Sequence, residues 1–555
     1  MTTRRETLKK FKELSFGTSG LRDTVINMTD MECYINARGF IRFLKMRGEV
    51  DDAHNVIALA GDRRSSTPRI AASVARAIED EGCKVDYAGK LPSPTLAYYA
   101  VYKGIPSIMV TGSHIPDDRN GIKFTKKSGE VLKSDEKDIL DSVARAREEE
   151  YGKTQEESQF TPEAAFKKSV TLPEALDEKN AIDNFVKRYT DVFTGAPLKG
   201  KRIVLYQHSA VGRDIIEGVF KALGGDIITV ARSEKFVPVD TEKVSRETRS
   251  LLKQWANEYK PFAIISTDGD SDRPLLADEE GEFLTGDKLG ALVSVFLSPD
   301  FAAVPISAND AVVSALEKEG IEVKQTKIGS PYVIAAMNEK LKEDAEAKVV
   351  SWESNGGFLL GSDWDIGGKT LKRLPTRDAV LPLVSALLLA VKENKSVSSL
   401  IASALPARYT HADVVDDKTA GCENYTADMG KRIIKMFSPS DLSITEVSFT
   451  KDGITVKGQK EVSDTLKKEL LGIKEKLAKY FNSGEGFGDI LSVNFIDGIR
   501  IVFSGGDVAH IRPSGNAPEF RMYATADTQE RADKIVDTRR RIVPKIVADL
   551  AGGKS

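Results

Sequence analysis

Residues 55–85 read NVIALAGDRRSSTPRIAASVARAIEDEGCKV. The order is an apolar strand, a turn of small and charged residues, an amphipathic helix, a glycine and a second strand. Thr67 stands where it can cap a helix that opens on Pro68, and Ile70, Val74 and Ile78 fall on one helical face. Gly82 is placed to stop that helix and return the chain to a strand. The unit recurs twice. Residues 202–230 (RIVLYQHSAVGRDIIEGVFKALGGDIITV) set Ile216, Val219, Phe220 and Leu223 at helical spacing before Gly224, and residues 302–323 (AAVPISANDAVVSALEKEGIEV) repeat the plan with Gly320. Three βαβ units in series predict three α/β domains of similar construction.

From about Arg408 the pattern changes to short alternating segments, such as SITEVSFTKDGITVKG (443–458) and SVNFIDGIRIVFSGGDVAHIRP (492–513), with separate helices between them. This reads as a fourth, α+β domain. The predicted boundaries are 1–190, 191–300, 301–407 and 408–555. Length agrees, because 555 residues exceed one core and call for about three to five domains. The charged stretch ARAREEEYGKTQEESQFTPEAAFKKS (144–169) is expected to be a solvated helix and loop.

Composition excludes several functions. With 80 basic and 83 acidic residues the formal net charge is -3, so no global field draws nucleic acid or an anionic membrane, and neither is expected as a partner. The three cysteines, Cys33, Cys83 and Cys422, lie far apart without metal-ligand spacing, which suits a reducing, cytoplasmic setting. The first 27 residues lack a signal-peptide core. The greasiest run, near Ala379–Val391, contains Pro382 and is shorter than the ~20 residues of a membrane span, so it is expected as a core helix.

The densest chemistry lies in FAIISTDGDSDRPLLADEEGEFL (262–284), where an apolar strand delivers Asp268, Asp270 and Asp272 into one loop. Three carboxylates at alternate positions repel one another unless a cation neutralises them, which implies a divalent, oxygen-preferring ion. Glu279 stands twelfth from Asp268, as in an EF-hand, but Arg273 holds the sixth position where that loop needs glycine, and the segment before it is a strand. In SIMVTGSH (107–114) a strand ends at Gly112 and leaves Ser113 and His114 at the mouth of a turn, where a hydroxyl can serve as nucleophile. Thr111 and Ile115 replace the glycines of a hydrolase elbow. HIRPSGNAPEFRMYATA (510–526) gathers Arg512, Ser514, Asn516 and Arg521 around Gly515, donors suited to a phosphate. VVSWESNGGFLLG (349–361) brings Glu353, Ser354 and Asn355 before two glycines, with polar atoms suited to sugar hydroxyls. GSDWDIGGKT (361–370) fails as a P-loop because Asp363 replaces its first glycine, and His54, His208, His411 and His510 read as structural or surface residues.

Taken in order, SFGTSGLRD (15–23), VTGSHIPDDRNGIKF (110–124), TDGDSDRP (267–274), WESNGG (352–357) and RPSGNAPEFRMY (512–523) resemble the signature loops of the α-D-phosphohexomutase superfamily, the phosphomannomutases and phosphoglucomutases. The resemblance spans nearly the whole chain. It implies three related α/β domains with mixed sheets and a C-terminal α+β domain arranged around a central cleft. The four domains would carry, in turn, the phosphoserine, metal, sugar and phosphate loops. It implies Ser113 as the phosphoryl-carrying serine, Asp268, Asp270 and Asp272 as Mg²⁺ ligands together with Ser113, and Arg22, His114, Lys123 and Arg273 as catalytic groups. It also implies Glu353, Ser354 and Asn355 as sugar contacts and Arg512, Ser514, Gly515, Asn516 and Arg521 as the phosphate clamp.

The implied activity is a Mg²⁺-dependent interconversion of hexose 6-phosphate and hexose 1-phosphate, of mannose or glucose, through a hexose 1,6-bisphosphate, in a monomer or homodimer. Phosphoglucosamine mutase and a metal-dependent sugar-phosphate phosphatase are the alternatives. Departures from the family pattern are Gly112 for Ala, Ile115 for Asn, Ser271 for Gly, Asn355 for Ser, and Asn-Ala-Pro for Thr-Glu-Pro. The last two bear on substrate identity more than on reaction type.

Overall fold

A computed structural model describes residues 10–17, 20–423, 425–514 and 519–551. The chain forms two compact units: one comprises the residues up to 304 with 316–324 and 329–404, the other 305–315, 325–328 and the chain from 405.

The three βαβ units each build a mixed α/β sheet. In the first, Val56–Gly61 runs parallel to Lys84–Lys90 and to Ser107–Val110, and the chain then reverses into Arg119–Lys126, which pairs antiparallel with Ser107–Val110 and with Gly20–Thr24. The second repeats this plan. Arg202–Tyr206 lies parallel to Asp226–Val230 and Ala263–Thr267, and Pro274–Ala277 turns back antiparallel on Ala263–Thr267. In the third, Phe301–Pro305 is parallel to Val349–Trp352, and Phe358–Leu360 turns back on it. Each sheet thus contains one buried parallel strand whose C-terminal end opens into a loop and an antiparallel return. Those loops hold Ser113, the three aspartates and Glu353, at the strand ends where α/β sheets present ligand sites.

The helices follow the sequence reading with local corrections. Helix Thr67–Asp80 buries Ile70, Val74 and Ile78, but its cap position belongs to Ser66, and the Thr67 hydroxyl donates instead to Asp62 Oδ1 at 2.6 Å. Gly82, Gly224 and Gly320 all take positive φ after their helices, as a helix stop requires. The apolar run forms the buried helix Val380–Lys392, and no helix among the described residues is long and apolar enough to cross a membrane. The stretch 144–169 is not simply solvated. Arg147 and Glu150 are buried on helix Lys133–Gly152, where Arg147 Nη2 pairs with buried Glu32 at 2.7 Å and Glu150 accepts from Ser158 at 2.6 Å. Arg147 pairs across more than a hundred residues, and Glu150 binds Ser158 eight residues on as well as Lys153 at helical spacing, so a local reading of polarity cannot see that both are buried.

The second unit is the expected α+β domain. Its seven-stranded antiparallel sheet runs Tyr409–Val415, Phe520–Ala526, Val508–Pro513, Ile499–Phe503, Ile490–Asn494, Glu446–Thr450 and Gly453–Val456. Alternate residues Phe520, Met522 and Ala524 enter a core shared with Ile433, Leu477 and Ile542 from the helices.

In the first unit, helix Asp30–Met46 covers one sheet face and packs on Lys133–Gly152. Gly39 makes that approach possible, because a Cβ there would lie 2.6 Å from the Val143 Cα. Gly39→Val is therefore expected to cost about 1–3 kcal/mol, seen as a lower urea midpoint of the first far-ultraviolet circular dichroism transition; an unchanged midpoint would refute this packing.

Candidate functional site

The loop after Ser107–Val110 is fixed from below by a buried ion pair. Asp62 accepts from the hydroxyls of Thr67 and Thr111 and from Arg64 Nε, and the Thr111 hydroxyl oxygen accepts the Ser113 N–H at 2.8 Å. Arg64 is 2% exposed. Its guanidinium donates to the carbonyls of Ser113 (2.9 Å), Ile115 (2.6 Å), Pro116 (2.7 Å) and Arg119 (3.1 Å). A side chain on Gly112 would meet that guanidinium at 2.7 Å, which explains the glycine there. Ser113 itself is held at φ +57°. A non-glycine residue in the left-handed region costs on the order of 1–3 kcal/mol and persists because its surroundings enforce it.

The aspartate loop closes against this one. The Asp268 N–H donates to the Arg273 carbonyl at 3.1 Å, and the N–H groups of Asp272 and Arg273 both donate to Asp268 Oδ1 at 3.2 Å. Gly269 permits close approach, since a Cβ there would lie 2.6 Å from the Ser113 carbonyl oxygen. Ser271 also takes a positive φ, +58°, which accounts for glycine being usual at that place. Its hydroxyl oxygen compensates by accepting from the Gly212 N–H and the Thr267 hydroxyl.

Ser113 Oγ lies 2.6 Å from Asp268 Oδ2. Lys123 Nζ donates to Asp270 Oδ2 at 2.5 Å and to Asp272 Oδ2 at 2.7 Å. Strand register brings in Arg22: it faces Gly121, on the same sheet face as Lys123, and a Cβ on Gly121 would press on the Arg22 side chain. Arg377 Nε sits 3.2 Å from Asp272 Oδ2, and its Nη1 donates to Glu353 Oε2 at 2.9 Å. Gly357 gives Arg377 room, and Asn355 Oδ1 closes its own turn by accepting the Gly357 N–H at 3.0 Å. Ser93 donates through both its N–H and its hydroxyl to Asp270.

Burial and the Asp270 and Asp272 charges raise Asp268 well above the usual carboxylate range. Against burial, the Arg377, Lys123 and Arg273 charges hold Asp272 far below it. Burial, with Arg273 beside it, draws the Arg22 guanidinium down to about 10. Burial, then Arg273 and Arg22, drives the His114 imidazole far below its ordinary value, so the ring is neutral. Its Nδ1 accepts from Arg273 Nη1 at 2.9 Å, which places the ring proton on Nε2.

These residues fit a metal ion. One oxygen from each of Asp268, Asp270 and Asp272 lies within 4.8 Å of the others. Asp270 Oδ1 and Asp272 Oδ1 are buried without a hydrogen-bond partner among the described residues. An all-oxygen, acidic donor set of this kind suits a hard divalent cation. Glu279 takes no part, because Ser398 binds its carboxylate through both N–H and hydroxyl.

Ser113, His114, Lys123, Arg22, Arg273, the three aspartates and Glu353 therefore converge within the first unit, and Ser354 and Asn355 share the Glu353 loop. The sequence reading does not identify Arg64, Ser93 or Arg377. Only the charged turn Asp62–Arg64 after a buried strand marks the first of them, and the other two carry no spacing signal. In the second unit Arg512 and Arg521 stand directly opposite on adjacent strands, and the Ser514 N–H donates to the Glu519 carbonyl at 2.8 Å, closing the base of their loop. Two like charges placed opposite each other are unfavourable without an anion. Asp497 lies 3.3 Å from Arg512 Nε and Glu519 lies 3.7 Å from Arg521 Nη2. Gly515 and Asn516 lie outside the described residues.

The chain is similar to known proteins over nearly its whole length. The chain matches the families described as phosphoglucomutase/phosphomannomutase alpha/beta/alpha domain I over residues 13–150, alpha/beta/alpha domain III over 285–408, and the C-terminal domain over 457–542. It is 38% identical over 525 residues to a phosphomannomutase of Salmonella muenchen, covering 95% of this chain and 94% of that one. It is 36% identical over 528 residues to a phosphomannomutase of Sinorhizobium fredii, covering 94% and 97%. The crystal structure of a putative phosphomannomutase from Thermus thermophilus shares the fold, with a TM-score of 0.65 at 18% identity over 96% of this chain and 99% of that one.

Lys123→Met leaves Asp270 and Asp272 without their shared ammonium. In differential scanning fluorimetry its unfolding midpoint in EDTA is expected to drop below wild type and to recover on adding Mg²⁺, by a larger step than wild type shows. An equal Mg²⁺ response in both proteins would contradict the role given to Lys123.

Proposed function

The chain belongs to the phosphoglucomutase/phosphomannomutase family and is a phosphosugar mutase, and from that premise we propose that it interconverts the 6- and 1-phosphates of a hexose through phosphorylated Ser113 and a hexose 1,6-bisphosphate. The observation that carries this reading is the charge around Ser113. Asp268, Asp270, Asp272 and Glu353 stand with Arg22, Lys123, Arg273 and Arg377, beside the Asp62–Arg64 pair and with Glu130 acting on Arg377, so that carboxylates and cations nearly balance. A divalent cation on the aspartates adds two positive charges, and a phosphoryl group on Ser113, carrying about two negative charges, offsets them.

In the proposed reaction a hydroxyl of the sugar attacks the phosphorus held on Ser113. The new P–O bond forms as the bond to Ser113 Oγ breaks, and the hydroxyl proton passes to a base. The intermediate then turns round and returns its other phosphoryl group to Ser113. When bound, Mg²⁺ on Asp268, Asp270, Asp272 and the Ser113 phosphoryl would neutralise charge on the transferring group. The Arg64 clamp and the positive-φ backbone keep Ser113 Oγ beside the aspartates throughout. Neutral His114, with Nδ1 engaged by Arg273 and cations around it, is suited to donate from Nε2 and not to accept a second proton. Lys123, an ammonium between Asp270 and Asp272, would act in concert, giving a proton to the Ser113 oxygen as it takes the one leaving the sugar hydroxyl. Arg273 and Arg22 lend positive charge to the same place. Glu353, steadied through Oε2 by Arg377, has Oε1 for sugar hydroxyls, with Ser354 and Asn355 on the same loop. Arg512 and Arg521, with Ser514, Gly515 and Asn516, take the phosphate that is not reacting.

The names of the relatives favour mannose phosphates as substrate, and glucose phosphates share the same stereochemistry at the ends that react. A panel of mannose, glucose and glucosamine 1-phosphates in a coupled assay decides the sugar. In that assay Ser113→Ala is expected to lose roughly a thousandfold or more in kcat while keeping the wild-type circular dichroism spectrum, and Arg512→Ala to raise KM with a smaller change in kcat. Normal turnover by Ser113→Ala would refute the nucleophile, and stoichiometric release of inorganic phosphate by the wild type would move the reading to a phosphatase.

A further inference from the structure

A groove of about 540 Å³ opens between helices Ser93–Lys103 and Glu178–Thr190 and the strand Lys369–Leu371, sharing no lining residue with the aspartate cluster. Its volume falls in the range of sites that take small molecules. One wall is aromatic: the Tyr98 and Tyr102 rings lie 4.5 Å apart between centroids, and Tyr102 is 49% exposed. The other wall is cationic, with Lys187, Arg188 and Lys372.

Lys372 is paired with Asp363 at 3.0 Å, so Lys187 and Arg188 supply the positive charge left to the groove. Lys103 neutralises Asp177, leaving Asp191 as the other acidic group in the lining. Arg188 is 4% exposed, and its Nε donates to the Lys372 carbonyl at 3.1 Å and its Nη1 to Asp378 at 3.0 Å. Its Nη2 has no hydrogen-bond partner among the described residues. A buried guanidinium nitrogen without a partner is costly, and an anionic oxygen is its natural complement. The Lys187 ammonium makes no ion pair or hydrogen bond among the described residues.

We propose that this groove is an effector site for a nucleotide, whose base stacks on the exposed Tyr102 with the inclined Tyr98 ring at its edge and whose phosphates meet Lys187 and Arg188. An exposed aromatic face beside an unpaired ammonium and an unpartnered guanidinium nitrogen suits a planar ring that carries phosphate. Two physical connections run from the groove to the catalytic cluster. The helix that supplies both tyrosines begins at Ser93, whose N–H and hydroxyl hold Asp270. Arg188 anchors Asp378, and the adjoining Arg377 binds Asp272 and Glu353. A ligand that shifts either the helix or Arg188 therefore biases the position of an aspartate in the cluster.

The test uses the full-length protein, with ADP and GDP titrated by isothermal calorimetry and pyrophosphate and adenosine as probes of each half alone. A saturable site is expected for at least one nucleotide, with pyrophosphate and adenosine each binding more weakly. Tyr102→Ala and Lys187→Glu, both away from the catalytic cluster, are each expected to weaken nucleotide binding by about tenfold or more. The same nucleotide is expected to change wild-type mutase turnover without competing with the sugar phosphate, and to lose that effect in both variants. The proposal is overturned if no nucleotide saturates, if pyrophosphate binds as tightly as the nucleotide, if binding survives both variants, or if bound nucleotide leaves turnover unchanged. The calorimetric arm does not depend on the reaction proposed at Ser113.

Discussion

Three carboxylates buried on one short loop cannot coexist as anions without positive charge beside them, and the first unit is organised around that requirement. Asp268, Asp270 and Asp272 are each at most 1% exposed. At such short range in a partly dehydrated setting their mutual repulsion is among the larger energies in the fold. The chain meets it with cations from separate parts of the sequence. Lys123 arrives on the return strand of the first sheet, Arg273 from the end of the loop itself and Arg377 from the last strand of the third sheet. The cluster is a junction between three sheets.

The repeated strand-loop-return plan makes that junction possible. Each sheet ends a buried parallel strand with a loop and sends the chain back antiparallel, so the three loops are similarly mounted while their residues differ. On the proposed reaction, serine on the first, aspartates on the second and glutamate on the third would divide nucleophile, cation site and sugar contact among three copies of one device. Rigid mounting matters, because phosphoryl transfer gains most from positioning and preset charge. Arg64 shows what rigidity demands here: four backbone carbonyls of the serine loop are gathered on one buried guanidinium.

Much of this was legible from residue order alone. The βαβ units announced themselves through helical periodicity and terminal glycines, and the aspartate loop through alternation of like charges that only a cation reconciles. Two departures from the family pattern became intelligible only in three dimensions. Gly112 makes room for Arg64, whereas Ser271 accepts a glycine-like backbone and repays it with two hydrogen bonds. Arg377 and Ser93 escaped notice because their partners lie far away in sequence, and nothing about an isolated arginine or serine states which loop it will meet. The same blindness made buried Arg147 and Glu150 look like solvated charge.

The most direct test of the central claim is the anomalous difference map of a crystal soaked in Mn²⁺. The account predicts a peak among Asp268, Asp270 and Asp272, at oxygen-ligand distance from all three and adjacent to Ser113 Oγ. A fully soaked crystal with no peak at the aspartates, or with its ion bound elsewhere and Lys123 still bridging Asp270 and Asp272, would contradict it.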